Sequence, residues 1–88
     1  MKQLLTTRTF LKHYKKRVSP QDDVIFKKLV NSLLKEEKLP SKFKDHKLSG
    51  NLKKYRECHI KNDLLLIYQL HEDTLTLVDI GSHSQLFK

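Results

Sequence analysis

Five histidines stand in a chain of 88 residues, at positions 13, 46, 59, 71 and 83. Imidazole titrates close to neutrality, so one ring can accept a proton while another donates one. A converging set would therefore suit general acid–base chemistry. His13 lies among lysines and His71 in a turn-forming His-Glu-Asp segment, and both read as solvent-exposed surface. His46, His59 and His83 each fall at a loop or strand end in the second half of the chain. In the alternating segment from 55 to 60, Tyr55, Glu57 and His59 share one face, and Arg56, Cys58 and Ile60 share the other. Cys58 and Ile60 are expected to face the core, which puts His59 on the open face and leaves Arg56 at the edge of the buried side. Asp63 follows at a turn, within reach of the same end of the sheet.

Other chemistries fit less well. The spacing of His46, His59 and His83 matches no compact metal-ligand motif, so no metal is assigned; a three-histidine zinc site built from loops is the competing use. Cys58 is the only cysteine, which excludes an internal disulfide, and its place on the core face argues against a nucleophile.

The elements that must position these groups follow from periodicity. Phe10, Leu11, Tyr14 and Val18 recur at helical spacing, with Thr6 or Thr7 as cap. Ser19-Pro20, then Asp22 and Asp23, start a second helix whose apolar stripe runs from Ile25 to Leu34, ending near Glu36 and before Leu39-Pro40. After a polar, basic loop with a short strand at 47–49, strands are expected at 55–60, 63–70 and 74–80, the middle one buried on both faces. With a β-permissive start at 2–6 and one closing turn at 82–88, the order is β-α-α-β-β-β. The fold class is α+β, a helical hairpin packed on a small antiparallel sheet, in a single domain spanning 1–88.

Lys and Arg number 18 against 10 acidic residues, a formal charge of +8. Residues 1–61 carry 17 basic and six acidic residues, and the remainder carries one and four. A basic surface of this kind suits a polyanionic partner, nucleic acid more often than membrane. The longest apolar run, Leu64 to Tyr68, is far short of the ~20 residues of a membrane span, and no signal-peptide pattern is present, so a cytoplasmic protein is expected.

Four blocks, Lys44-Asp45-His46-Lys47-Leu48-Ser49-Gly50, Tyr55-Arg56-Glu57-Cys58-His59-Ile60, Asp63 with Leu65-Leu66-Ile67-Tyr68, and Gly81-Ser82-His83-Ser84-Gln85-Leu86-Phe87, occur in order over about half of the chain. Together they resemble the YafQ branch of the RelE/ParE toxin superfamily. The resemblance implies a RelE-like fold and the toxin of a type II toxin–antitoxin pair, with a cognate antitoxin protein as partner. It further implies a ribosome-associated endoribonuclease that cuts mRNA without a metal or small-molecule cofactor, by attack of the 2′-hydroxyl on the adjacent phosphate. His46, His59, Asp63 and His83 match the family's catalytic positions, with His83 as general acid, His46 or Asp63 as base, and His59 positioning the phosphate. Lys53, Lys54 and Arg56 are the candidates for offsetting charge on RNA, and Phe87 for stacking on a base. Two departures are visible: Leu64 stands where the branch can carry an aromatic, and Gly50-Asn51-Leu52-Lys53-Lys54 is unusually basic. The alternatives are a non-catalytic ParE-like toxin acting on gyrase and a basic RNA-binding module.

Overall fold

A computed structural model describes residues 1–87. After strand β1 (Gln3–Thr6), the Thr7 side chain accepts a hydrogen bond from the Phe10 N–H and starts helix α1 (Arg8–Arg17). Ser19 does the same for helix α2 (Pro20–Leu34), whose first turn holds Pro20, Asp22 and Asp23. Phe10, Tyr14 and Phe26 lock the hairpin together, with ring centroids 4.9–5.8 Å apart. Leu29, Val30 and Leu33 of α2 then pack into one core with Cys58, Ile60, Leu66, Tyr68, Leu75, Leu77 and Ile80 of the sheet.

The remaining strands are β2 (His46–Lys47), β3 (Arg56–Lys61), β4 (Leu64–Leu70) and β5 (Thr74–Gly81), followed by a single helical turn, α3 (His83–Leu86). The sheet order is β1-β5-β4-β3-β2. The α+β class is as expected, and β4 is central and buried over Leu64–Tyr68. Three details differ. The sheet is mixed rather than purely antiparallel, because β1 runs parallel to β5 with Gln3 opposite Thr74. The short strand is at His46–Lys47 rather than 47–49, between 3₁₀ turns at Ser41–Phe43 and Gly50–Leu52. Helix α2 stops at Leu34, where Lys35 leaves helical geometry and Glu36 turns left-handed with φ 62°.

Beyond Thr6, α1 takes the place of a strand beside β5. The Thr7 hydroxyl donates to the Val78 carbonyl at 2.7 Å, and the Arg17 guanidinium donates to the Ile80 carbonyl at 2.8 Å. His13, expected as free surface, instead donates from Nδ1 to Asp79 Oδ1 at 2.7 Å. The same carboxylate accepts the Ile80 N–H. His71 is exposed in its turn, as expected.

At the opposite margin a polar knot secures the loop that leads into β2. Asp45 accepts a hydrogen bond from the buried Tyr68 hydroxyl and another from Arg56 Nη2 at 3.2 Å, while Arg56 Nε donates to the Tyr68 oxygen. Burial and the bond to Asp45 push the Tyr68 hydroxyl up, keeping it a donor. Burial alone would lower Arg56, but its bonds to Tyr68 and Asp45 outweigh this and raise it. Replacing Asp45 by Ala would leave the buried Tyr68 hydroxyl without its acceptor and the half-buried guanidinium without its carboxylate. The expected cost is ~2–4 kcal/mol, measured as a lower urea midpoint with unchanged slope.

Candidate active site

Strand register builds the site on the sheet face turned away from the helices. His46 of β2 lies opposite Glu57 of β3, and His59 lies opposite Leu65, which in turn faces Gly81 of β5. Glu57 and His59 are two residues apart and project to the same side. The chain then leaves β5 and begins α3, where Ser82 forms a reciprocal cap with Gln85. That turn delivers His83, whose ring centroid is 5.6 Å from that of His59. Gly81 permits the tight passage: a Cβ there would fall 2.5 Å from Arg17 Nη1 and 2.8 Å from Gln85 Oε1.

Glu57 is the group at the centre. It is only 5% exposed, and its Oε2 is 3.1 Å from His46 Nε2 and 3.6 Å from His59 Nε2. His46 Nδ1 is 2.7 Å from the Lys44 carbonyl, which can only accept, so that nitrogen carries a proton. Lys44 holds its carbonyl there from a left-handed conformation, φ 50°. With Nδ1 so engaged, Nε2 is the nitrogen turned toward Glu57 Oε2.

Asp63 occupies the β3–β4 turn and reaches α3 instead. Its Oδ1 accepts the His83 N–H at 3.0 Å and faces His83 Nδ1 at 3.2 Å. The backbone bond from His83 first, and the imidazole second, hold the Asp63 carboxyl below its ordinary range. His83 Nε2 has no protein hydrogen-bond partner among the described residues. Phe87 is exposed, with its ring centroid 6.4 Å from that of His83.

The structure therefore brings together His46, His59, Asp63 and His83, with Phe87 at the margin. It does not bring Lys53, Lys54 or Arg56 to them. Arg56 is engaged by Asp45 and Tyr68 on the core side of the sheet, and Lys53 and Lys54 flank it on a separate surface near Gln69 and His71. Glu57 is the residue that sequence reasoning passed over; its alternation with His59 was the available signal. Glu57, His59 and His83 also offer ligand atoms within 4.8 Å of one another, a donor set able to hold a cation. Cys58 is fully buried and its thiol is pushed up by burial, which removes it as a nucleophile.

A helical hairpin on a five-stranded sheet, with histidines and carboxylates at one end, is the architecture of RelE-like toxins. The family described as "Bacterial toxin of type II toxin-antitoxin system, YafQ" matches residues 2–88, and the chain belongs to it. It is 41% identical over 59 residues to the mRNA interferase toxin YafQ of Escherichia coli K12, a match covering 67% of this chain and 61% of that protein. A crystal structure of a copper-bound mutant toxin from Helicobacter pylori is similar with a TM-score of 0.91 and 37% identity, over 99% of this chain and 100% of that one. The E. coli DinJ–YafQ complex is similar with a TM-score of 0.84 and 29% identity, over the whole of both chains. A metal-bound toxin from H. pylori gives 0.84 and 43%, over 99% of this chain and 100% of that one.

The Asp63 geometry predicts a local phenotype. In Asp63→Asn the His83 N–H keeps a weaker acceptor and the imidazole loses its anionic partner, so hydrogen exchange at the His83 amide should rise with little change in global stability. Because the folded carboxyl is depressed, this support is complete above its ordinary value of 3.8. It is lost as pH falls below that. The wild-type amide should accordingly lose protection only in acid.

Proposed function

We propose that the protein is the toxin of a type II toxin–antitoxin pair and acts in the cytoplasm as a ribosome-associated endoribonuclease on mRNA. The observation that carries this reading is the convergence of His46, Glu57, His59 and His83 around one surface position, with Asp63 fixing His83. A relative is named an mRNA interferase, and another is seen in complex with DinJ, which supports an RNA substrate and an antitoxin partner. A gyrase-binding toxin or a simple RNA-binding module would have no use for a carboxylate buried between two imidazoles.

The chemistry assigns roles that differ in part from those implied by family resemblance. The 2′-hydroxyl proton passes to the Glu57–His46 pair, and the O2′–P bond forms. His59, beside them and facing His83, holds the scissile phosphate. The P–O5′ bond breaks as His83 Nε2 protonates the departing oxygen, leaving a 2′,3′-cyclic phosphate and a 5′-hydroxyl end. Asp63 is a positioning residue here rather than the base, because both of its close contacts go to His83. Phe87 is placed to stack on the base next to the leaving oxygen. Lys53 and Lys54, exposed on another surface, suit contacts with ribosomal RNA backbone.

Expression of the wild type in cells should arrest growth and create new mRNA 5′ ends. Glu57→Gln and His83→Ala should each lower cleavage by ~10²–10⁴-fold while circular dichroism shows a folded protein. Absence of new mRNA ends with folded wild type would overturn the reading, and cleavage by either variant at the wild-type rate would overturn the role assigned to that residue.

The donor set at Glu57, His59 and His83 adds a second expectation. Two relatives from H. pylori are described as copper-bound and metal-bound. A cation held by these groups in this chain would occupy the proton-transferring atoms, so it acts as an inhibitor. Micromolar copper(II) should suppress cleavage reversibly, and EDTA should leave the activity of metal-free enzyme unchanged. Loss of activity in EDTA that added metal restores would refute metal independence.

A further inference from the structure

Strand pairing leaves part of the sheet edge bare. Strand β2 meets only Arg56 and Glu57 of β3, so the edge from Cys58 to Lys61 has no strand beside it. The 3₁₀ turn Ser41–Phe43 and helix α2 approach this edge without covering it. Between them lies an open cleft of about 460 Å³, whose walls include Lys28, Lys42, Lys44, His59, Lys61 and Asn62. This is room for a nucleotide.

The charges in the cleft are not neutralised by the protein. Lys61 is paired with Asp22 at 2.9 Å, and that bond draws the Asp22 carboxyl down. Lys28, Lys42 and Lys44 have no carboxylate within ion-pair distance among the described residues, leaving three free ammonium groups. The cleft shares one wall with the catalytic cluster, His59, and includes neither His83 nor Phe87. It therefore adjoins the cluster at His59 and does not reach Phe87. The β3–β4 turn serves both sides, since Asp63 reaches His83 while its neighbour Asn62 faces the cleft.

We propose that this cleft is the subsite for the nucleotide on the far side of the scissile phosphate from Phe87. Lys28, Lys42 and Lys44 hold its phosphate and the next one along, and the Asn62 amide reads the edge of its base. The proposal rests on the endoribonuclease reading. Several unpaired ammonium groups along an open groove fit single-stranded RNA, whose phosphates recur at regular spacing. An acidic segment of a protein partner could use the same lysines. The shared His59 wall favours RNA, because a strand bound at the cluster must leave along one of two paths, and Phe87 marks the other.

The test uses the full chain on ribosomes programmed with a short mRNA. One message carries a 2′-deoxy nucleotide at the cut position, to prevent attack, and 4-thiouridine on one side or the other of it. Photocrosslinks should map to residues 42–44 and 59–62 from one side only, and to Phe87 from the other. With cleavable mRNA, the triple variant Lys28→Ala, Lys42→Ala, Lys44→Ala should raise KM by about tenfold or more and keep kcat within about twofold, since uniform binding is what it removes. Its salt dependence should also be shallower by ~1.4 in log–log slope, at ~0.7 for each of the two phosphates no longer neutralised. An active wild type with an unaffected triple variant would overturn the subsite alone. A raised KM with crosslinks absent from the cleft would assign the lysines to ribosomal RNA and overturn it too. A triple variant that loses affinity for the antitoxin while cutting mRNA normally would assign the lysines to that partner and overturn it as well. A wild type that cuts nothing would remove the endoribonuclease reading and this proposal with it.

Discussion

A carboxylate kept out of water needs a proton or a cation beside it, and Glu57 is such a carboxylate. Much of the second half of the chain is arranged to meet that need. His46 must be aimed at it from an edge strand only two residues long, so its other nitrogen is tethered to the carbonyl of a left-handed Lys44. The loop holding Lys44 is in turn fixed through Asp45 to Tyr68 and Arg56, on the opposite face of the sheet. His59 stands on the other side of the carboxylate by strand alternation alone. The placement of His46 against Glu57 on one face is thus maintained by a polar network on the other. A change in the core margin would be felt at the histidines without touching them.

The parts legible in the sequence were those with a local physical signature. Ser19-Pro20 followed by Asp22 and Asp23 marks a helix start whatever the tertiary context, and the apolar run from Leu64 to Tyr68 marks a central strand. The parallel pairing of β1 with β5 has no such signature, because no turn links Gln3 to Thr74. Strand β2 is too short for alternation to show. His13 looked like surface because its partner Asp79 is distant in sequence and nothing near His13 announces it. Glu57 was missed for a related reason: a charged residue in an alternating strand ordinarily faces water, and its burial depends on His46 arriving from another strand. The side of the sheet taken by Arg56 followed from alternation, whereas its engagement by Asp45 and Tyr68 did not.

Charge and chemistry are divided between elements in a way composition alone does not show. Most lysines lie on the helices and the loops before β3, yet the histidines and carboxylates proposed to move protons have no lysine inserted among them. Ammonium groups placed within that cluster would oppose protonation of the imidazoles by like-charge repulsion. Under the proposed reaction, setting them to one side, around the cleft beside His59, leaves them able to attract phosphates without that interference, so that affinity and turnover can change independently.

The parallel pairing of the first strand with the last has a consequence for the order of events during synthesis. Strand β1 emerges from the ribosome first but must wait for Thr74–Gly81 before it has a partner. His83 follows β5 directly, so the cluster lacks its final imidazole until all five strands have been made. Domains fold as they emerge, and pairings between distant segments close late. Under the ribosome-directed function proposed above, the chain is in this way without its acid while still attached to the ribosome that is making it.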